Sequence, residues 1–176
     1  SGGNSSGGGS PIYTTQNNNV TTIAGVAGQM GSADAPQGPG TGATFNQPCG
    51  ITTYGTNLYV ADTYNSRIQV FSSAGSFLHK WGSPGHADGQ FNCPQGIAVS
   101  TDGRVYVADT CNNRIQIFKT DGTFEAAWGQ RGIGPGELWL PCGIAVDGNG
   151  NVYVADTMNN RIQVFRPAAG GTSYER

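Results

Sequence analysis

The sequence predicts an all-β protein assembled from three copies of one four-stranded unit. Three observations carry that prediction. A single cassette recurs in register, reading FNQPCGI…NLYVADTYNSRIQVF over 45–71, FNCPQGIAV…RVYVADTCNNRIQIF over 91–118 and LWLPCGIAV…NVYVADTMNNRIQVF over 138–165. Its spacing is nearly constant, with Asp62, Asp109 and Asp156 standing 47 residues apart, a period typical of repeats built from short strands. Finally, 29 glycines among 176 residues and only 11% charged side chains suit strands and tight turns, and no sustained 3.6-residue apolar period argues for helix.

Residues 1–19 are dominated by Gly, Ser, Asn and Thr and have little to bury. They read as a flexible tail, whether natural or an engineered leader. Val20-Thr21-Thr22-Ile23-Ala24 precedes Gly25, a Gly/Pro-rich connection and Phe45, just as 76–81 precedes Phe91 and 123–128 precedes Leu138. A strand is therefore expected at 20–24. In the third copy, Gly143-Ile144-Ala145-Val146 is an apolar run closed by the turn Asp147-Gly148-Asn149-Gly150. A β-branched and aromatic run follows at 151–155, then alternating polar and apolar residues at 161–165. The first copy gives strands at 50–53, 57–61, 67–71 and 76–81, and the second at 96–99, 104–108, 114–118 and 123–128.

Four antiparallel strands joined by tight turns make a propeller blade. The expected count over 20–166 is an orphan outer strand, two full blades and a last blade that stops after its third strand, which makes three blades' worth of strands, with 167–176 as a C-terminal tail. Propellers usually need four to eight blades, so three cannot close a ring alone. The expected architecture is a partial ring completed by another chain. In it, Val20, Thr21, Thr22, Ile23 and Ala24 of one molecule add as the outer strand beside Arg161, Ile162, Gln163, Val164 and Phe165 of another. A ring and a filament both remain open as products.

The pattern P-x-G-I-A-V, V-Y-V-A-D-T-x-N-N-R-I-Q-V-F and a fourth strand ending in W-G resembles the NHL repeat over about residues 20–166. The resemblance implies a β-propeller, commonly six-bladed, so that three blades are half of a six-bladed ring completed by another chain; the faces of such propellers bind proteins, RNA or small ligands, with enzymes in the minority. The fold alone does not choose among these.

The repeated polar residues read as structural. Asp62, Asp109 and Asp156 can bond local backbone in the strand-to-strand loop. Arg67, Arg114 and Arg161 can clamp a neighbouring blade's carboxylate or carbonyls. The stretch 147–151 lacks the downstream bidentate Glu of a calcium loop and reads as a hairpin turn. His79 and His86 lie on one outer strand and its connection, too few for the several-histidine metal site of propeller lyases resembling this family. No catalytic residue, metal site or cofactor is expected, and the chain does not read as an enzyme.

Cys49, Cys93, Cys111 and Cys142 show no C-x-x-C spacing. Three lie beside the proline that opens an inner strand and Cys111 lies after a second strand, which puts all four at one end of their blades. That favours disulfides and an oxidising compartment. Of the three connectivities, Cys93–Cys111 within the middle blade is preferred, and buried free thiols are the other possibility. Asn4 and Asn19 head N-glycosylation sequons that fit secretion.

A formal charge of −2 with nine Lys and Arg offers no basic face for nucleic acid. No apolar run is long enough for a helical membrane span, and no basic-then-apolar signal segment opens the sequence. The expected function is a non-enzymatic extracellular or cell-surface structural protein that assembles with itself as a ring or filament. The alternatives are a protein- or glycan-binding propeller domain of a larger receptor or adhesin, and a fragment of a propeller lyase.

Overall fold

A computed structural model describes residues 22–33, 42–167 and 174–175. It is all-β, with three antiparallel four-stranded sheets whose strands neighbour one another in chain order. The first blade is β1 (Pro48–Tyr54), β2 (Asn57–Asp62), β3 (Arg67–Ser72) and β4 (Phe77–Trp81). The second is β5 (Pro94–Val99), β6 (Arg104–Asp109), β7 (Arg114–Lys119) and β8 (Phe124–Trp128). The third is β9 (Pro141–Val146), β10 (Val152–Asp156), β11 (Arg161–Pro167) and the two-residue β12 (Tyr174–Glu175).

Each inner strand begins at its proline, two or three residues before the apolar run. Pro48, Pro94 and Pro141 pair with Asp62, Asp109 and Asp156 across a register shift, and a proline with no N–H is tolerated at such a strand start. Between second and third strands the chain makes one 3-10 turn, at Thr63–Asn65, Thr110–Asn112 and Thr157–Asn159. Ser66, Asn113 and Asn160 close these turns in the left-handed region, with φ of 51°, 56° and 51°. Asparagine tolerates that conformation better than most non-glycine residues, and a tight corner between antiparallel strands results.

The blades pack face to face through two apolar layers. Tyr59, Ala61, Ile68 and Val70 of the first blade meet Phe91, Ile97, Val105, Val107 and Phe118. Tyr106, Ala108, Ile115 and Ile117 of the second meet Leu138, Val152, Val154 and Phe165. The outer-strand tryptophans extend each layer. Trp81 lies 5.7 Å from Phe118 and Trp128 lies 5.5 Å from Phe165, ring centre to ring centre. Every blade therefore has a forward face and a rear face, and the repeat places the same residue types on each.

Two sequence expectations change at the ends. Thr22–Ala24 form no strand, because among the described residues no sheet edge lies beside them; Val20 and Thr21 fall outside the described residues. The connection that follows is nonetheless built like the other two. Met30 bridges Phe45 as Pro84 bridges Phe91 and Arg131 bridges Leu138, all in parallel sense, and Ala24 packs with Phe45 and Phe71. The last blade does gain a fourth strand, contrary to the reading of 167–176 as tail. β12 pairs only with Arg166 and Pro167, however, and among the described residues no strand covers the outer edge of β11 from Ile162 to Phe165.

Candidate functional site

The repeated polar residues form one network per blade. The buried carboxylates of Asp62, Asp109 and Asp156 each accept a backbone N–H from the incoming connection, at 2.8, 2.8 and 2.7 Å, from Asn46, Asn92 and Trp139. The other carboxylate oxygen accepts from an Asn, an Arg and a Gln side chain. In the middle blade these are Asn112 Nδ2 at 2.9 Å, Arg114 Nε at 2.8 Å and Gln116 Nε2 at 3.0 Å. The pairs Asp62–Arg67 at 2.7 Å and Asp156–Arg161 at 2.8 Å repeat the arrangement. Burial works against the Asp156 carboxylate, but the Trp139 N–H, the Asn159 amide and Arg161 outweigh it and hold its pKa below the usual value.

The sequence reading had the arginines clamping a neighbouring blade's carboxylate or carbonyls, and Arg114 does come within 3.8 Å of Asp88 on the connection from the preceding blade. Each arginine binds the carboxylate of its own blade, because five residues bring the chain back across one strand-to-strand corner. Its remaining N–H groups hold carbonyls of the incoming connection. Arg114 donates to Ala87 and Gln90, and Arg161 to Ile133, Gly134 and Glu137. Gln69, Gln116 and Gln163 complete the network and were not singled out from sequence. Their signal was a fixed glutamine two residues after each arginine, which strand alternation alone renders as an exposed polar position. Gln116 and Gln163 also accept the Gly89 and Gly136 N–H groups at 3.0 and 2.9 Å, while the Gln69 amide oxygen is buried without a partner among the described residues; the centre acts as a structural clamp.

The threonine after each aspartate joins blade to blade. Thr63 Oγ1 donates to the Pro94 carbonyl and Thr110 Oγ1 to the Pro141 carbonyl, both at 2.8 Å. Thr157, at the equivalent place in the last blade, reaches only the carbonyl of Ala155, at 3.3 Å. The apolar faces show the same break. Ile162 is 66% exposed and Tyr153 38%, whereas Ile68 and Ile115 are fully buried and Tyr59 and Tyr106 are 1% exposed. At the opposite end, Ile51 is 63% exposed and its counterpart Ile97 6%. Beside Ile51 runs an apolar groove lined by Ala24, Phe45, Leu58 and Val60. Ala24 stands where the other connections carry Trp81 and Trp128.

The four cysteines are free thiols, Cys49 and Cys111 exposed and Cys93 and Cys142 half-buried. Cys93 and Cys111 are hydrogen-bond neighbours, and burial together with that contact pushes the Cys111 thiol up to about 11. Cys142 Sγ donates to Gln95 Oε1 at 2.8 Å. Asn4 and Asn19 lie outside the described residues. Asp147 accepts from the Asn149 and Asn151 amides and from Tyr153, so the turn satisfies its own carboxylate. His79 contacts the Thr120 carbonyl and His86 the Asn112 amide oxygen. Among the described residues no three His, Cys, Asp or Glu side chains converge as metal ligands, and no helix is long and apolar enough to cross a membrane.

These features define a repeat protein of propeller-type blades, with its polar groups spent on the repeat and an apolar face open at each end. The NHL repeat matches residues 91–118 and 138–165, and the chain carries NHL repeats there. Protein brain tumor of Drosophila melanogaster is 39% identical over 56 residues, which is 31% of this chain and 5% of that protein. In fold, the chain is similar to a streptogramin B lyase, with a TM-score of 0.57, 17% identity, and coverage of 81% of this chain and 42% of the lyase. It is similarly close to the hydrazine synthase of Kuenenia stuttgartiensis, with a TM-score of 0.57, 18% identity, and coverage of 86% and 38%. U3-55K gives a TM-score of 0.57 at 17% identity, covering 73% and 38%. The chain spans less than half the length of each of these, and at such identities the likeness is one of fold.

Proposed function

We propose that this chain is a non-enzymatic protein-binding repeat domain whose partner is a second copy of itself. The observation that carries the reading is the pair of open faces. The exposed forward face, with Tyr153 and Ile162, has the same residue types that bury completely inside the chain. The rear face, with exposed Ile51 and half-buried Leu58 and Phe45, has the types that cover them. An apolar patch of this kind marks an association surface, and the chain's two internal interfaces supply its template. The forward face of one copy seats on the rear face of another, head to tail.

The same contact brings Val20–Ala24 of the second copy to the uncovered edge of β11. By equivalence with Ile68↔Trp81 and Ile115↔Trp128, Ala24 would lie opposite Ile162. Backbone hydrogen bonds would then add to apolar burial. Reciprocal docking of two copies gives a closed six-bladed ring; docking that does not close gives a filament. An oxidising, extracellular setting belongs to this proposal and draws on the four cysteines and two sequons. Sedimentation velocity of the full chain across a wide concentration range tests the reading. Self-association supports it. A monomer at every concentration refutes it and favours the alternative, a domain that docks on other proteins.

A further inference from the structure

The inner strands β1, β5 and β9 open with Pro48-Cys49-Gly50, Pro94-Gln95-Gly96 and Pro141-Cys142-Gly143. The glycine of each triplet has a packing reason in two of the three blades. A Cβ on Gly50 would be driven into the carbonyl oxygen of Gln95, and a Cβ on Gly96 into that of Cys142. The middle residue of each triplet therefore lies directly against the preceding blade's glycine. Side chains at consecutive middle positions also touch, since the Cys142 thiol donates to the Gln95 amide at 2.8 Å.

Among the described residues Gly143 has no such neighbour. A Cβ there would meet only the Cβ of Ala155, at 3.3 Å. This empty slot lies on the same side as the exposed Ile162 and the shortened reach of Thr157. In the head-to-tail seam, Cys49 of the second copy brings its carbonyl into that slot. Cys49 then follows Cys142 as Cys142 follows Gln95, with the two side chains side by side. Within one chain the Gln95 position stands between Cys49 and Cys142, so the two thiols are near enough to feel each other's charge but are not side by side.

From this juxtaposition we propose that Cys142 of one copy and Cys49 of the next form an interchain disulfide that locks the seam. The inference rests on the head-to-tail reading above. Formation is a two-electron oxidation, for which a low-molecular-weight disulfide such as oxidised glutathione serves as acceptor. Exposed Cys49 attacks as the thiolate, forming a mixed disulfide and releasing one glutathione thiol. Cys142 then displaces the second glutathione, leaving one protein disulfide and two reduced glutathione molecules, the two protons going to solvent or to the leaving thiolates. Burial, and secondarily the nearby Cys49 thiol, push the Cys142 thiol up, so the closing step accelerates as pH rises.

The test uses the full chain, prepared unlabelled and uniformly labelled with heavy nitrogen. The two are mixed, incubated with oxidised glutathione and digested without reduction, and reduced protein is sedimented in parallel. The expected result is a linked peptide pair carrying Cys142 and Cys49 in which mixed light–heavy pairs are about as abundant as same-label pairs. Linked pairs found only within one label are intrachain and overturn the proposal. Self-association of reduced protein with no Cys49–Cys142 link after oxidation also overturns it while leaving the seam intact. A monomer under both conditions removes the seam and the disulfide together.

Discussion

Replacing Asp109 with alanine tests the view that the repeated polar residues are structural. The carboxylate is fully buried and receives the Asn92 N–H, the Asn112 amide, Arg114 Nε and the Gln116 amide, all within 3.0 Å. Three of these donors are not wholly orphaned by the change. Arg114 keeps the carbonyls of Ala87 and Gln90, Asn112 that of Gly85 and Gln116 that of Gln90. Removing one partner of a buried ion pair costs about 3–5 kcal/mol, and the remaining contacts hold the loss near the lower end, about 3–4 kcal/mol. At roughly 2–4 °C per kcal/mol for a domain of this size, the melting temperature falls by about 6–16 °C. Thermal and urea unfolding followed by tryptophan fluorescence read this directly, because Trp81 and Trp128 sit in the packing between blades. Asp147→Ala, at a turn open to solvent, is the control and shifts the melting temperature far less than Asp109→Ala. A loss under about 1 kcal/mol for Asp109→Ala, or equal losses for both variants, would refute the reasoning.

Three further outcomes follow from the same geometry. Gly96→Ala destabilises strongly, because its Cβ collides with the Cys142 carbonyl, whereas Gly143→Ala, whose Cβ meets the Ala155 Cβ at 3.3 Å, costs the monomer much less and weakens self-association; equal destabilisation by both contradicts the open slot. In alkylation with iodoacetamide across pH, Cys111 reacts with an apparent pKa of about 11, and titration of Cys111 near the ordinary 9.0 would show that desolvation and the contact with Cys93 do not act on this thiol. Asp156 has a folded pKa below its ordinary 3.8, so it contributes stability that is fully present above that value and is lost only as pH falls through the lower, folded pKa; in Asp156→Asn that acid-dependent component disappears, and an unchanged acid limb of the stability curve contradicts it.

Much of the fold was legible because the repeat prints the same local chemistry three times. Strand positions, the hairpin turn at Asp147 and the structural role of the aspartates follow from alternation and turn residues that act over a few positions. What sequence did not disclose depends on spacing between blades. Gln116 reads as one polar position in an alternating strand, yet it is fully buried because the connection entering its blade folds over it. Nothing local shows that Thr110 spans to the next blade or that Gly96 admits a neighbour's carbonyl. The expected strand at 20–24 failed over its described residues for a related reason. A strand needs an edge, and among the described residues no strand pairs with 22–24. The two-residue β12 was missed because Tyr174-Glu175 carries no alternation to read.

Mixing two seam variants tests head-to-tail self-completion most directly. Ile162→Glu disables the forward face and leaves the rear face intact, while Ile51→Glu does the reverse. Each variant alone should sediment as a monomer. Their equimolar mixture should form a dimer that goes no further, since only one seam can form between a sound forward face and a sound rear face. If the mixture remains monomeric, or if either variant alone dimerises as wild type does, copies of this chain do not join forward face to rear face.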